Sequence, residues 1–272
     1  MSDEIKLCLH SLKLKMEAAK CHRDWIDSLP LLVARMQVSN VKNINIWLHE
    51  LISRLPDHQQ YLDVWVQGWY ADMFAFNEFQ VVMNPYGTLG PDLKINLLNE
   101  CAYIEVLRIR VDLEEEHTIE QNMRDALSNG LLYSEGSIGK VIINKKTGER
   151  RFEPEVTETV RKLSQKISNK YRQGAENSLI NTEPYIVAAH SVSHKTDDII
   201  FKLVTKLFEI EAELGGSQRK AISGCLFYNG FVHLPLRKCC NFWKNPNSGN
   251  GQKEFMEKLN NLSAPPLFER KP

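Results

Sequence analysis

"GPDLKINLLNECAYIEVLRIR", residues 90–110, decides how this chain is read. A Gly-Pro turn leads into the run "DLKIN". A few residues later "CAYIEVLRIR" follows, so two strands joined by a short turn are predicted. Strand side chains alternate between faces, which groups Cys101, Tyr103, Glu105, Leu107 and Ile109 on one side. Glu105 is therefore an acid among apolar neighbours, and a carboxylate is costly there unless it is paired or binds a cation. Asp92 stands at the start of the preceding strand, and in a tight hairpin the two acids converge. Two hard oxygen donors, with waters and a backbone carbonyl, suit Mg²⁺ or Mn²⁺. A cation so held activates water and stabilises the charge that builds up in phosphodiester hydrolysis. An Asp capping a turn and a Glu paired with Arg108, Arg110 or a distant Lys fit the same spacing, which leaves both readings open.

Working outward, residues 3 to 28 are predicted helical, with Pro30 as an interruption. "NINIWLHELISRL" (43–55) resumes helical spacing, and Pro56 breaks it. "HQQYLDVWVQGWYADMFAF" (58–76) is a further helix, whose Trp65, Trp69 and Phe76 are expected in the core. "EFQVVMN" (78–84) suits a strand. Beyond the opening stretch come a helix at 114–127, a hairpin turning at Thr147-Gly148 and an amphipathic helix at 154–173. "PYIVAAHS" (184–191) is a buried strand by length and composition, followed by a helix at 196–213 and a strand at 221–228. Strands alternating with helices argue for an α/β fold, a central mixed β-sheet flanked by helices and preceded by a helical N-terminal segment. The expected organisation is a helical segment over 1–57, an α/β domain over 58–245 and a C-terminal tail over 246–272.

Composition narrows the partners. The 272 residues carry 34 basic and 34 acidic side chains, so no global charge demands nucleic acid or an anionic membrane. A local patch is required instead. Residues 140–172 hold ten Lys or Arg against four acids, a local balance of +6 that would neutralise phosphates. Six cysteines without framework spacing point to a reducing compartment, and Cys101 and Cys225 are expected as buried thiols. The N-terminus mixes charged with apolar residues, unlike a signal peptide, and no apolar run nears the roughly 20 residues of a membrane span. A cytoplasmic protein without a membrane partner is the expectation.

"GPDLKI…AYIEVLR" resembles the core of the PD-(D/E)xK nuclease superfamily, the restriction-endonuclease-like fold. In that family Pro-Asp opens one strand, and an acidic residue, any residue, then Lys lies on the next. Pro91 and Asp92 match the first half, and Glu105-Val106-Leu107 the second. The surrounding order of helix, strand, Asp strand, Glu strand, basic helix and buried strand is similar too, over roughly residues 60 to 190. The resemblance implies Mg²⁺ or Mn²⁺ on Asp92 and Glu105, with the Val106 carbonyl as a third ligand, and DNA as substrate. Lys162, Gln165, Lys166 and Lys170 on the 154–173 helix would then contact nucleic acid, and Asp63 is an extra acid of the kind some members add. A homodimer is expected of an enzyme that cuts both strands.

The departure is Leu107, which stands where the family has the lysine that orients or activates the attacking water. Lys94 lies two residues after Asp92, on the same side of a regular strand, and is the candidate to replace it. A lysine of the 154–173 helix is another. Arg108 is sent to the opposite face from Glu105. A catalytically inactive module that binds nucleic acid or a protein partner is the alternative, and an unrelated α/β interaction protein a third. Elsewhere, Cys8, His10, Cys21 and His22 lack the usual zinc spacing, His190 and His194 are expected as loop histidines, and there is no Gly-x-Ser-x-Gly elbow.

Overall fold

The computed structural model describes residues 3–19, 21, 23–88, 90–109, 183–191, 204–205, 208, 222–229, 240–246, 253–263 and 265. Four helices open the chain: α1 (Asp3–Ala18), α2 (Arg23–Val38), α3 (Ile44–Arg54) and α4 (His58–Phe76). Strands β1 (Gln80–Met83), β2 (Pro85–Thr88), β3 (Leu93–Leu97) and β4 (Glu100–Ile109) follow. Further along come β5 (Tyr185–Ser191), β6 (Ile222–Asn229), β7 (Cys240–Lys244) and a helix, α5 (Lys253–Asn260).

Six of the strands form one mixed sheet in the order β1-β3-β4-β5-β6-β7. β1 pairs antiparallel with β3 and β3 with β4, β5 is parallel to β4, β6 is parallel to β5, and β7 closes the sheet antiparallel. The β3–β4 hairpin is in the register Leu93↔Ile104, Lys94↔Tyr103 and Ile95↔Ala102. Alternation then sorts the side chains. Ile104, Val106, Ile186, Ala188, Leu226 and Tyr228 join the core beneath α4. Tyr103, Glu105, Leu107, Tyr185, Val187, Ala189, Cys225 and Phe227 are buried on the other face. Burial on both sides is the usual condition of parallel strands, and it explains the near-continuous apolar runs of β5 and β6.

Helix α4 is the spine of the molecule. Asp57 caps its start, accepting the Gln60 N–H at 3.1 Å while the Gln60 amide donates to the second carboxylate oxygen at 2.7 Å. Its far end is tied to the sheet, where the Tyr70 hydroxyl donates to the Ala189 carbonyl at 2.7 Å. On the other side α3 lies so close that Trp47 Nε1 donates to the Val64 carbonyl at 2.8 Å.

Several expectations need correction. Pro30 lies inside α2 rather than interrupting a helix. Trp65 and Trp69 are core residues, whereas Phe76, in the last turn of α4, is 48% exposed. Cys225 is buried but Cys101 only half-buried. His190 belongs to β5 and is buried, its ring stacked on Tyr228 with centroids 5.3 Å apart, so it is not a loop histidine. The stretch expected as a tail contains α5, whose Phe255, Met256 and Leu259 enter the core. The predicted helices at 114–127 and 154–173, the hairpin at 139–152 and the basic patch at 140–172 lie outside the described residues.

Candidate metal centre at the β3–β4 hairpin

The hairpin brings Asp92 against the backbone that carries Glu105. The last pair of the β3–β4 ladder is Leu93↔Ile104, and Asp92 stands in the bend just before it. Asp92 Oδ2 accepts the N–H of the peptide that joins Glu105 to Val106, at 2.8 Å. Both acids are buried, Asp92 at 6% and Glu105 at 1% exposure. Each is also held by a neutral polar side chain. Gln67 Nε2, on α4, donates to Asp92 Oδ1 at 3.1 Å, and the Tyr185 hydroxyl, on β5, donates to Glu105 Oε2 at 3.2 Å. Helix α4 therefore reaches Asp92 from one side of the sheet while Tyr185 reaches Glu105 on the other.

The donor chemistry fits a hard cation. Asp92 and Glu105 offer carboxylate oxygens, and the amide oxygen of Gln67, whose nitrogen binds Asp92, is buried without a hydrogen-bond partner among the described residues. A buried acceptor left without a donor is uncommon, and a cation or water is the usual reason. These are all-oxygen donors of the kind Mg²⁺ and Mn²⁺ select. Among the described residues no group of three His, Cys, Asp or Glu side chains converges, so any further ligands would have to be amide or backbone oxygens or water. Val106, expected as a carbonyl ligand, buries its side chain under α4 and gives its N–H to Asp92.

The remaining candidates are placed as follows. Leu107 is buried at 4% exposure, on the same face as Glu105 and paired in register with Ala189. Lys94 shares a register pair with Tyr103, and its ammonium lies 5.7 Å from the centre of that ring, a cation–π distance. Among the described residues no ion pair joins Lys94 to Asp92 or Glu105. The Tyr103 hydroxyl is bonded to that of Tyr86 at 2.7 Å, and burial together with this bond lifts its pKa well above the ordinary phenol range. Arg108 points to the α4 side, 2.6 Å from Gln59 Oε1 and 3.6 Å from Asp63 Oδ1, which gives Asp63 a basic partner rather than a place beside Glu105. Lys162, Gln165, Lys166 and Lys170 lie outside the described residues.

Two of the side chains that hold the acids were not anticipated. Gln67 had a signal: Gln59, Asp63 and Gln67 recur every four residues along an otherwise apolar helix, and that stripe faces Arg108 and Asp92. Tyr185 had none, because its place depends on parallel pairing with a strand 80 residues earlier. The five cysteines among the described residues are free thiols, and burial pushes that of Cys225 up to about 12. No described helix is long and apolar enough to cross a membrane. Comparisons with protein-family models, with curated proteins and with solved structures return no match, so the meaning of this hairpin rests on its own geometry.

Proposed function

We propose that the protein is a divalent-cation-dependent nuclease of PD-(D/E)xK type acting on DNA. The observation that carries this reading is the Asp92 carboxylate bonded to the N–H of the residue that follows Glu105, both acids being buried at one end of a hairpin. The order α4, β1, β3, β4 supports it, since the resemblance implies a helix, a strand, the Asp strand and the Glu strand in that sequence. Bound there, Mg²⁺ or Mn²⁺ would polarise a phosphodiester and lower the pKa of a bound water. Asp92 and Glu105 would hold it. Gln67 and the N–H of Val106 fix the Asp92 carboxylate, so that its oxygens do not reorganise when a substrate arrives.

A second reading is favoured by a specific observation. The motif position is held by a buried leucine, Leu107, and Lys94 lies over the Tyr103 ring. A catalytically inactive module that binds nucleic acid or a protein partner fits that arrangement. Nicking of supercoiled plasmid in Mn²⁺ separates the two. The nuclease reading expects cleavage by the wild type that is abolished, by at least about 100-fold, in Asp92→Asn and Glu105→Gln. Lys94→Ala would lose it too if that lysine leaves the Tyr103 ring to assist the water. DNA binding without cleavage selects the inactive module, and cleavage that survives Glu105→Gln removes this hairpin as the active site.

A further inference from the structure

We infer that Tyr185 is a positioning residue for Glu105, contributed by a separate strand to set the acid for cation binding; this rests on the cation reading above. Tyr185 opens β5 and is 1% exposed. The registers Tyr103↔Tyr185 and Glu105↔Val187 put its ring on the Glu105 face one pair away, and its hydroxyl donates to Glu105 Oε2. A buried tyrosine needs a partner for its hydroxyl, and here that partner is an acid rather than a backbone carbonyl. A proton donor held on one oxygen restricts the rotation of the carboxylate.

The backbone around Tyr185 is built to hold that aim. On the β4 side, the Tyr103 N–H donates to the Pro184 carbonyl at 2.9 Å. On the β6 side the ladder slips between Tyr185 and Ile186, so that Ser223 has no residue opposite it. The Tyr185 N–H donates instead to Ser223 Oγ at 3.3 Å. Asn245 secures the bulged segment, donating from its N–H to the Ser223 carbonyl at 3.0 Å and from Nδ2 to the Ile222 carbonyl at 2.8 Å. Bulges of this kind re-aim side chains and gather near active sites. Tyr185 is thus fixed by two strands and one serine before it meets Glu105.

The test is a titration of the full-length chain with Mn²⁺, followed by the paramagnetic resonance of free Mn²⁺. Wild type, Tyr185→Phe, Glu105→Gln and the double variant are compared, with the thermal midpoint of each recorded. Tyr185→Phe keeps the ring and is expected to weaken Mn²⁺ binding about 10-fold, the usual effect of losing a partner of a metal ligand. The double variant is expected to bind no more weakly than Glu105→Gln alone, because the phenol acts only through that carboxylate. Ser223→Ala keeps the phenol and frees its backbone, so a smaller loss in the same direction is expected. A merely structural tyrosine would lower the thermal midpoint and leave Mn²⁺ affinity unchanged. Wild-type affinity in Tyr185→Phe while Glu105→Gln binds poorly overturns the role of Tyr185 and leaves the site standing. Fully additive losses in the double variant overturn it as well. A wild type that binds no Mn²⁺ removes the site itself and Tyr185 with it.

Discussion

Asp72 is a carboxylate in the middle of α4, almost fully buried, and Arg35 of α2 closes on it with both ends of its guanidinium. Arg35 Nε lies 3.2 and 3.1 Å from the two oxygens. Burial pushes the Asp72 pKa up and the Arg35 bonds and charge pull it down, with burial the larger effect. Removing the guanidinium leaves the burial unopposed. Arg35→Met is expected to cost about 2 kcal/mol, less than for a wholly buried pair because 27% of the Arg35 side chain is exposed. The sign of the pH dependence follows. An acid held above its ordinary range contributes stability at low pH that is lost as pH rises through its folded pKa. The variant raises that pKa further, so its deficit in urea unfolding is expected to be smaller at about pH 5 than at about pH 8. A deficit that grows toward acid would refute this account of Asp72. The apolar surroundings of Glu105 are legible in the sequence because a strand's alternation is local, whereas Arg35–Asp72 and Tyr185–Glu105 join distant segments whose register no local pattern records.

Elements were legible where their signals are chemical punctuation. Pro56 and the Asp57 cap mark the start of α4, and Gly90-Pro91 marks the entry to β3. Pro30 does not interrupt α2, and the reason is physical. An interior proline costs about 3 kcal/mol. Yet α2 buries Ile26, Leu29, Leu32, Val33 and Met36, each at about 1.5–3 kcal/mol, and that burial outweighs the lost hydrogen bond. No local signal marks β7, because "CNFWK" is short, mixed in polarity and at a sheet edge. The contact of α3 with α4 yields a prediction of its own. A Cβ built on Gly68 would lie 2.2 Å from Cζ2 of Trp47, a ring that is fully buried and tied to the Val64 carbonyl. In an exposed helix Gly→Ala gains about 1 kcal/mol, while overpacking a fixed ring costs about 1–3 kcal/mol. Gly68→Ala is therefore expected to lower stability by about 1–2 kcal/mol, and by less in a Trp47→Leu background where the space is released. Chemical denaturation of the four chains decides it. An alanine variant as stable as the wild type would mean that α3 and α4 are free to separate.

Over the whole molecule, the sequence suggests boundaries near 57 and 246, because Pro56 breaks a run of helices and the end of the chain turns polar, but the core crosses both. One hydrophobic cluster extends from Cys8 to Leu262. The helices before 57 have apolar faces that must be covered, and α4 is what covers them: Leu12, Met16, Leu29, Val33, Trp47, Leu48 and Leu51 share a core with Tyr61, Trp65 and Trp69. A chain of residues 58–272 would bare the aromatic side of α4 and leave Asp72 without Arg35. It is expected to lose cooperative unfolding and to bind a hydrophobic dye strongly, as loosely packed states do. Removing 246–272 takes away less. Phe255 packs edge-on against Phe79 with centroids 5.4 Å apart, Lys258 pairs with Glu78, and Asn77 exchanges bonds with the Ser263 backbone. That chain is expected to keep a cooperative transition at a lower midpoint, since α4 and the sheet retain their main partners. Calorimetry of the two truncations beside the full chain measures both. A cooperative 58–272 chain with buried tryptophan fluorescence would make residue 57 a true domain edge and reduce α1–α3 to an attachment. Loss of cooperativity would instead make those helices one wall of the core that holds α4, and with it Gln67, against the hairpin.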